Sequence, residues 1–288
     1  MLEVKNIKKS FDKEIVLDDV SFTLLPHEIT GIVGRNGSGK TTLLKVISKI
    51  YENDEGTICF DNKNIYDFPK EMENIAFLPD NFDYFPNNDA RFIIANYKIV
   101  YPNFDEGFAI RELERNNISL TANSRKLSKG NKTILGLIMV LATNAKVLLV
   151  DEVLDGIDVV NREIILRYLI DAREEDRAIL ISSHELKELS GITDKIIYIS
   201  LDGKIDKITE ANEKNLNKVQ IVVKDGLPPD IRDRAVIRSE IGRVYTVLIA
   251  GEHEKLVEEL IRPDITQFDI LPLAIEDHFF WEKERGKK

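Results

Sequence analysis

The chain has 288 residues, with 40 Lys and Arg against 50 Asp and Glu, a net charge of −10, and a single Cys. Its 43% hydrophobic and 31% charged residues make a globular composition, and its length fits two domains, or one with an appendage. One Cys excludes an intramolecular disulfide framework and fits a reducing compartment, and an isoelectric point near 5.1 argues against nucleic-acid wrapping by bulk charge.

The longest aliphatic stretch, Ile134–Ala142, is about half of the roughly 20 residues a membrane span needs. The N-terminus has neither the apolar run nor the cleavage site of a signal peptide, and neither end carries a lipidation pattern. The expectation is a soluble protein that reaches a membrane only through a partner.

Residues 1–25 read as short strands: Leu2, Val4 and Ile7, a turn at Ser10–Glu14, then Val16 to Leu24 with alternating polarity. Ile29–Val33 is an apolar strand, followed by a glycine-rich turn and a helix pattern from Thr41. Thr57–Phe60 and Ile75–Leu78 are further strands. Nine aromatics crowd the stretch from Phe77 to Phe108, and residues 87–140 read as helical, with Ile134–Leu141 as a buried helix. Lys146–Val150 is apolar throughout, as a buried parallel strand requires. Ile164–Leu169 (helix), Ala178–Ser182 (strand), Glu185–Leu189 (helix) and Lys195–Ser200 (strand) continue an alternation that predicts a parallel α/β sheet. Thr209–Asn217 reads as a polar linker. Beyond it lie strands at Val219–Val223, Ala235–Ile237, Val244–Ile249 and Thr266–Ile270, a helix at Glu254–Ile261 and a terminal helix from Leu273. That is a small α+β domain.

Gly34-Arg35-Asn36-Gly37-Ser38-Gly39-Lys40-Thr41 fits G-x-x-x-x-G-K-[ST] between a strand and a helix. Glycines allow the backbone to curl with its N–H groups inward on a triphosphate, and a helix N-terminus adds its dipole. Lys40 would serve the β- and γ-phosphates, with Thr41 beside Mg²⁺ and Thr42 next in the loop. Asp151 and Glu152 end the apolar strand, at the edge where open α/β sheets bind ligands. Asp151 is the candidate Mg²⁺ partner and Glu152 the candidate general base for an attacking water. The plainer reading is a strand-end turn with two solvated acids.

Three further segments carry a resemblance. Leu127-Ser128-Lys129-Gly130-Asn131 resembles the signature motif of ABC-type ATPases, usually L-S-G-G-Q. Asp155-Gly156-Ile157-Asp158 resembles their D-loop, and His184 their switch histidine. With the phosphate loop and the acidic pair, five motifs stand in the family's order over residues 1 to about 205. The resemblance implies a P-loop NTPase fold in residues 1–210, with a RecA-like core and a helical subdomain at about 85–140, and a small C-terminal α+β domain at 211–288. It implies ATP and Mg²⁺ as ligands, and two cassettes closing head-to-tail on two ATP. Ser128 and the Gly130 backbone of one chain would complete the site that Gly34, Asn36, Gly37, Ser38, Gly39 and Lys40 form in the other. His184 would hold the γ-phosphate and the water, Asp158 would tune the interface, and Phe11 matches the aromatic that stacks on adenine. An ordinary core aromatic is the alternative for Phe11.

The chain departs from the family at three places. Asp80 stands where the family has Gln and is a third candidate Mg²⁺ ligand, offering the metal an oxygen on a charged and shorter side chain. Lys129 and Asn131 replace Gly and Gln in the signature, in a Ser-Lys-Gly form similar to a subgroup of ABC exporters. Val153 and Leu154 follow Glu152 where Pro and Thr are usual. No long coiled coil separates the motifs and only one cassette is present, so a transporter subunit is favoured over the chromosome-structure and translation branches.

The expected function is an Mg-dependent ATPase at the cytoplasmic face of the cell membrane, driving a separate transmembrane permease. Its cassette partner would be a second copy or a different subunit, and nucleic acid is not expected to bind. The alternatives are a cytosolic ATP-switched regulatory protein and a heterodimer partner whose site is only partly active. The close, Leu273-Ala274-Ile275-Glu276-Asp277-His278-Phe279-Phe280, resembles that of exporter subunits, and it also reads as a simple amphipathic helix. The Ser-Lys-Gly form favours export of an amphipathic peptide or antibiotic, with lipids, drugs and polysaccharides open. Phe82, Tyr84, Phe85 and Phe92 either line a groove for a permease helix or form the helical subdomain's core.

Overall fold

The computed structural model describes residues 1–12, 14–83, 85–189, 191–210, 216–274, 277–278 and 280–281. The chain divides into two compact units, Met1–Ile208 and Thr209–Lys288.

In the first unit, strands β1 (Leu2–Phe11) and β2 (Glu14–Leu24) form one long antiparallel hairpin rather than several short strands. Bulges interrupt its register, so the alternation looks broken in the sequence. Strand β3 (Glu28–Val33) feeds helix α1 (Lys40–Ile47), and β4 (Glu55–Phe60) and β5 (Lys63–Asn64) complete a four-stranded sheet in the order β2-β1-β4-β5. After β6 (Ile75–Leu78) come three helices, α2 (Ala90–Val100), α3 (Glu106–Arg115) and α4 (Lys129–Ala142). Asp89, Asp105 and Ser128 cap them by accepting from the backbone N–H of Phe92, Phe108 and Asn131.

Strand β7 (Val147–Val150), helix α5 (Val159–Glu174), strand β8 (Ala178–Ser183), helix α6 (Leu186–Leu189) and strands β9 (Lys195–Ile199) and β10 (Ile205–Glu210) finish the unit. A six-stranded sheet runs β10-β9-β3-β8-β7-β6, and its pairs from β9 to β6 are parallel. Its centre is dry: all four residues of β7 and all six of β8 are buried. Ile32, Leu43, Ile47, Leu149, Leu180 and Ile197 share the core in which α1 packs on the sheet. The C-terminal ends of β3, β7 and β8 therefore lie along one edge of a rigid platform.

The second unit runs β11 (Leu216–Val223), α7 (Pro229–Arg234), β12 (Val236–Ile241), β13 (Val244–Ala250), α8 (His253–Leu260) and β14 (Ile265–Leu271). Its antiparallel sheet has the order β12-β13-β11-β14, the βαββαβ arrangement of ferredoxin-like folds. One face buries Val219, Ile221, Val247 and Ile249 with Leu256 of α8.

Three expectations change here. Thr209 and Glu210 end β10, and Leu216 and Asn217 begin β11, so the polar linker is shorter than Thr209–Asn217. Helix α7 was not foreseen, because six residues opening on Pro228-Pro229 look like a turn. Leu273 lies outside any helix; the helical residues described near the end are Asp277, His278, Phe280 and Trp281. Ile275, Glu276 and Phe279 of the closing segment lie outside the described residues.

Candidate active site

β3 delivers the chain into the glycine loop. Gly37 and Gly39 have φ of 87° and 93°, the left-handed region. A Cβ on Gly39 would also stand 2.7 Å from the Val16 carbonyl, whereas Gly37 faces open space and is required by its backbone alone. Lys40 is only 4% exposed. Its Nζ donates to the carbonyls of Gly34 (2.8 Å) and Arg35 (3.3 Å) and lies 3.2 Å from Glu152 Oε1. The lysine is thus curled into its own loop. Gly39 caps α1 without a side chain, so no side-chain cap occupies the helix N-terminus. A cleft of about 410 Å³ opens there, lined by Val16, Asn36, Gly37, Gly39, Lys40, Thr41, Thr42 and Glu152. Ser38 Oγ is buried and accepts or donates no hydrogen bond among the described residues.

The acids arrive by register. Leu78, Val150 and Ile181 are neighbours across three parallel strands; β6 and β7 end at that level, while β8 runs on to Ser183, so Ser182 stands beside the departing Asp151 and Glu152. Asp151 is 3% exposed, and its N–H donates to the Leu78 carbonyl. Ser182 Oγ donates to Asp151 Oδ1 (2.6 Å) and accepts from the Glu152 N–H (3.0 Å). Burial pushes the Asp151 carboxyl above the usual range. The Ser182 and Thr41 hydroxyls pull it back, and the charges of Glu152 and Asp80 push it further up. Glu152 sits at φ 44°, a left-handed conformation that is uncommon for a residue with a side chain. Thr41 and Asp151 form a hard oxygen pair suited to Mg²⁺, which binds through one or two carboxylates together with substrate phosphates. Among the described residues no cluster of three or more His, Cys, Asp or Glu could hold a metal alone.

Ser182 and Val16 belong to this site and were not foreseen from the sequence. A hydroxyl one residue past Ile181 is a usable signal only once the β7–β8 register is known.

Asp80, Ser128, Gly130, Asp158, His184 and Phe11 are not among the residues that line this cleft. Asp80 Oδ1 is 3.6 Å from Lys129 Nζ. Ser128 caps α4. Gly130 packs on α5, where an added Cβ would meet Asn161 Nδ2 at 2.4 Å. Asp158 caps α5 through the N–H groups of Val160 and Asn161 and accepts from Asn161 Nδ2 (2.6 Å). Hydrogen bonds from Asn161 hold the Asp158 carboxyl below the usual range. His184 Nε2 lies 4.0 Å from Glu185 Oε1, and its Nδ1 is buried without a hydrogen bond. Phe11 is 40% exposed and meets Tyr51 edge-on at 5.3 Å, so it is not a core aromatic.

A second cleft, of about 470 Å³, is lined by Ile50, Met72, Ile75, Phe77, Val100 and Tyr101 together with Ser48, Pro69 and Glu73. Phe82, Phe85 and Phe92, expected either to line a permease groove or to form the helical subdomain's core, do not line this cleft. Phe82 is 3% exposed and packs against Gly136, so it belongs to the core. Phe85 and Phe92 meet edge-on at 6.1 Å, and Tyr84 lies outside the described residues.

Residues 17–155 match the family described as ABC transporter. The whole chain is 32% identical to the ABC transporter ATP-binding protein YtrB of Bacillus subtilis and covers 99% of it. The ribose import ATP-binding protein RbsA of Geobacillus kaustophilus is 27% identical over 76% of this chain, which spans 47% of that longer protein. The dimeric structure of MJ0796, a bacterial ABC transporter cassette, shares the fold at a TM-score of 0.66 and 23% identity, covering 74% of this chain and 100% of that one. No described helix is long and apolar enough to cross a membrane. The chain belongs to the ABC transporter family, in which it is an ATP-binding, ATP-hydrolysing subunit.

Proposed function

We propose that the cleft at the glycine loop is the hydrolytic site of this subunit, with Mg²⁺ held by Thr41, Asp151 and the phosphates of ATP. The observation that carries this reading is the meeting of Lys40, Thr41, Asp151 and Glu152 at one sheet edge, with Lys40 and Glu152 3.2 Å apart. Mg²⁺ bound there would supply positive charge to offset that of the triphosphate. Lys40 Nζ leaves the Gly34 and Arg35 carbonyls for the phosphates. Glu152, released from Lys40, takes the proton of the water that attacks the γ-phosphate, and Ser182 fixes the Glu152 N–H while it does so. His184 orients that water, and Phe11 offers its exposed ring to adenine. Ser128 and the Gly130 backbone of a second cassette close the site from the other side, with Asp158 at the junction.

The second cleft suits a short apolar helix of a separate permease, since Ile50 (50% exposed) and Val100 (65%) present apolar surface there. Docking of such a helix would hold the chain at the cytoplasmic face of a membrane through its partner. Export is the direction we infer, from the Ser128-Lys129-Gly130 form.

Phosphate release by the purified chain should fall at least ~10²-fold in Glu152→Gln with nucleotide affinity retained. A wild-type rate no higher than that of Glu152→Gln, with the permease present, overturns Glu152 as the base. Val100→Asp should abolish co-purification with a membrane protein while leaving ATP affinity intact. A cytosolic regulatory protein would show no such membrane partner.

A further inference from the structure

Lys129 and Asp80 are separate departures from the family pattern in the sequence, and the fold brings them together. Lys129 is the first residue of α4, and its ammonium lies 3.6 Å from Asp80 Oδ1 and 3.7 Å from Asp155 Oδ2. Asp80 belongs to the loop after β6, and its Oδ1 is buried without a hydrogen bond. Asp155 belongs to the turn after β7, where its N–H donates to the Glu152 carbonyl. That turn holds Glu152 at φ 44°. Four carboxylates thus gather at this edge, namely Asp80, Asp151, Glu152 and Asp155. Two lysines face them: Lys40 meets Glu152, and Lys129 meets the outer two.

We propose that Lys129 is a positioning residue for hydrolysis, its ammonium bridging Asp80 and Asp155 and thereby fixing the Glu152 turn and the loop after β6 to the first turn of α4. The proposal deepens the reading of Glu152 as general base and rests on it. Lys129 touches no reacting atom. It acts by holding the turn that aims the base, and it joins the start of the signature helix to the chain's own acidic edge. Asp80 is then committed to a protein cation rather than to the metal. Lys129, Asp80 and Asp155 are 39%, 43% and 48% exposed, so both pairs feel solvent and salt, and the effect is of modest size.

The test uses the full chain with Lys129→Met, Lys129→Arg, the Asp80→Asn/Asp155→Asn pair and the triple Lys129→Met/Asp80→Asn/Asp155→Asn. Lys129→Met should lower kcat by about three- to ten-fold, with KM for ATP within about two-fold. Lys129→Arg should recover most of the rate, and Lys129→Met should do nothing further in the double-Asn background. The Mg²⁺ concentration needed for binding of a fluorescent ATP analogue should be the same with Asp80→Asn as with wild type. Hydrogen exchange should show residues 152–156 losing protection in Lys129→Met. An unchanged kcat, an equal drop in the double-Asn background, an Arg variant as slow as Met, a raised Mg²⁺ requirement in Asp80→Asn, or unaltered exchange overturns the proposal. Because exchange is read without turnover, lost protection together with an active Glu152→Gln counts against Glu152 as base and leaves the Lys129 bridge standing.

Discussion

Asp277 of the second unit and Asp151 of the first are buried to almost the same depth, 1% and 3% exposed, and are compensated in opposite ways. Asp277 receives Lys218 Nζ at 3.0 Å, Arg238 Nε at 3.2 Å and the Ala274 N–H at 3.0 Å. Arg238 is itself steadied by the Phe280 ring, 4.3 Å from its guanidinium carbon. Asp151 has two hydroxyls, no cation within ion-pairing distance among the described residues, and two further acids beside it. A buried charge is tolerated when paired and hydrogen-bonded, so Asp277 pins the end of the chain to its sheet. An acid kept buried without a cation makes the fold less stable, and such positions mark sites where an incoming ligand supplies the missing charge.

The largest effect should come from Asp151→Asn. Removing the carboxylate should lower Mg²⁺-dependent phosphate release by ~10²-fold or more. Stability should move the other way. The folded carboxyl titrates above the ordinary value of 3.8 because burial disfavours its anion. Its contribution to stability is complete below the unfolded pKa and is lost as pH rises through the raised folded one. In chelator, the melting temperature of Asp151→Asn should therefore exceed that of wild type at pH 7.5, with the gap shrinking toward pH 4.5. A gap that widens on acidification breaks the contrast with Asp277.

Asp277→Ala comes next. It strands Lys218 and Arg238, which are 23% and 27% exposed and so partly resolvated. A loss of about 1–3 kcal/mol in the second unit should follow, read from urea unfolding. Loss of hydrolysis without loss of stability would show that Asp277, too, serves a site.

What could be read from the sequence follows the same division. The glycine loop and the Asp151-Glu152 pair are contiguous, and their chemistry is fixed by neighbours along the chain, so their residues could be named without a fold. Ser182 could not, because it reaches Asp151 only through the pairing of Val150 with Ile181. Lys129 and Asp80 each stood out as departures, but nothing in a one-dimensional spacing puts an ammonium between Asp80 and Asp155. Phe82 drew attention as an aromatic near a loop, and its fate was decided by the bare side of Gly136, a packing fact. In the second unit Val219–Val223 and Val244–Ile249 could be read as strands, but the expected Ala235–Ile237 falls short of β12, Val236–Ile241, which has no buried residue to mark it. The order β12-β13-β11-β14 could not be read, since it depends on which strands meet.

Gly130→Ala offers the smallest effect and separates packing from chemistry within the signature. Its Cβ would lie 2.4 Å from Asn161 Nδ2 and 3.1 Å from Asn161 Cβ, so Asn161 must swing away and release its 2.6 Å bond to Asp158. Strain and one lost hydrogen bond at an exposed helix start amount to about 1 kcal/mol, a shift of roughly 2–4 °C in melting temperature. Adding Asn161→Ala removes the Nδ2 and Cγ contacts and should recover the strain part of the shift, while the hydrogen bond to Asp158 stays lost. Hydrolysis then decides the meaning of the glycine. If the double variant is stable and fully active, Gly130 is there to let α4 approach α5. If it is stable and slow, the bare backbone at Gly130 is needed by the nucleotide of the facing cassette, and the first unit places functional demands on a residue whose packing alone would have explained it.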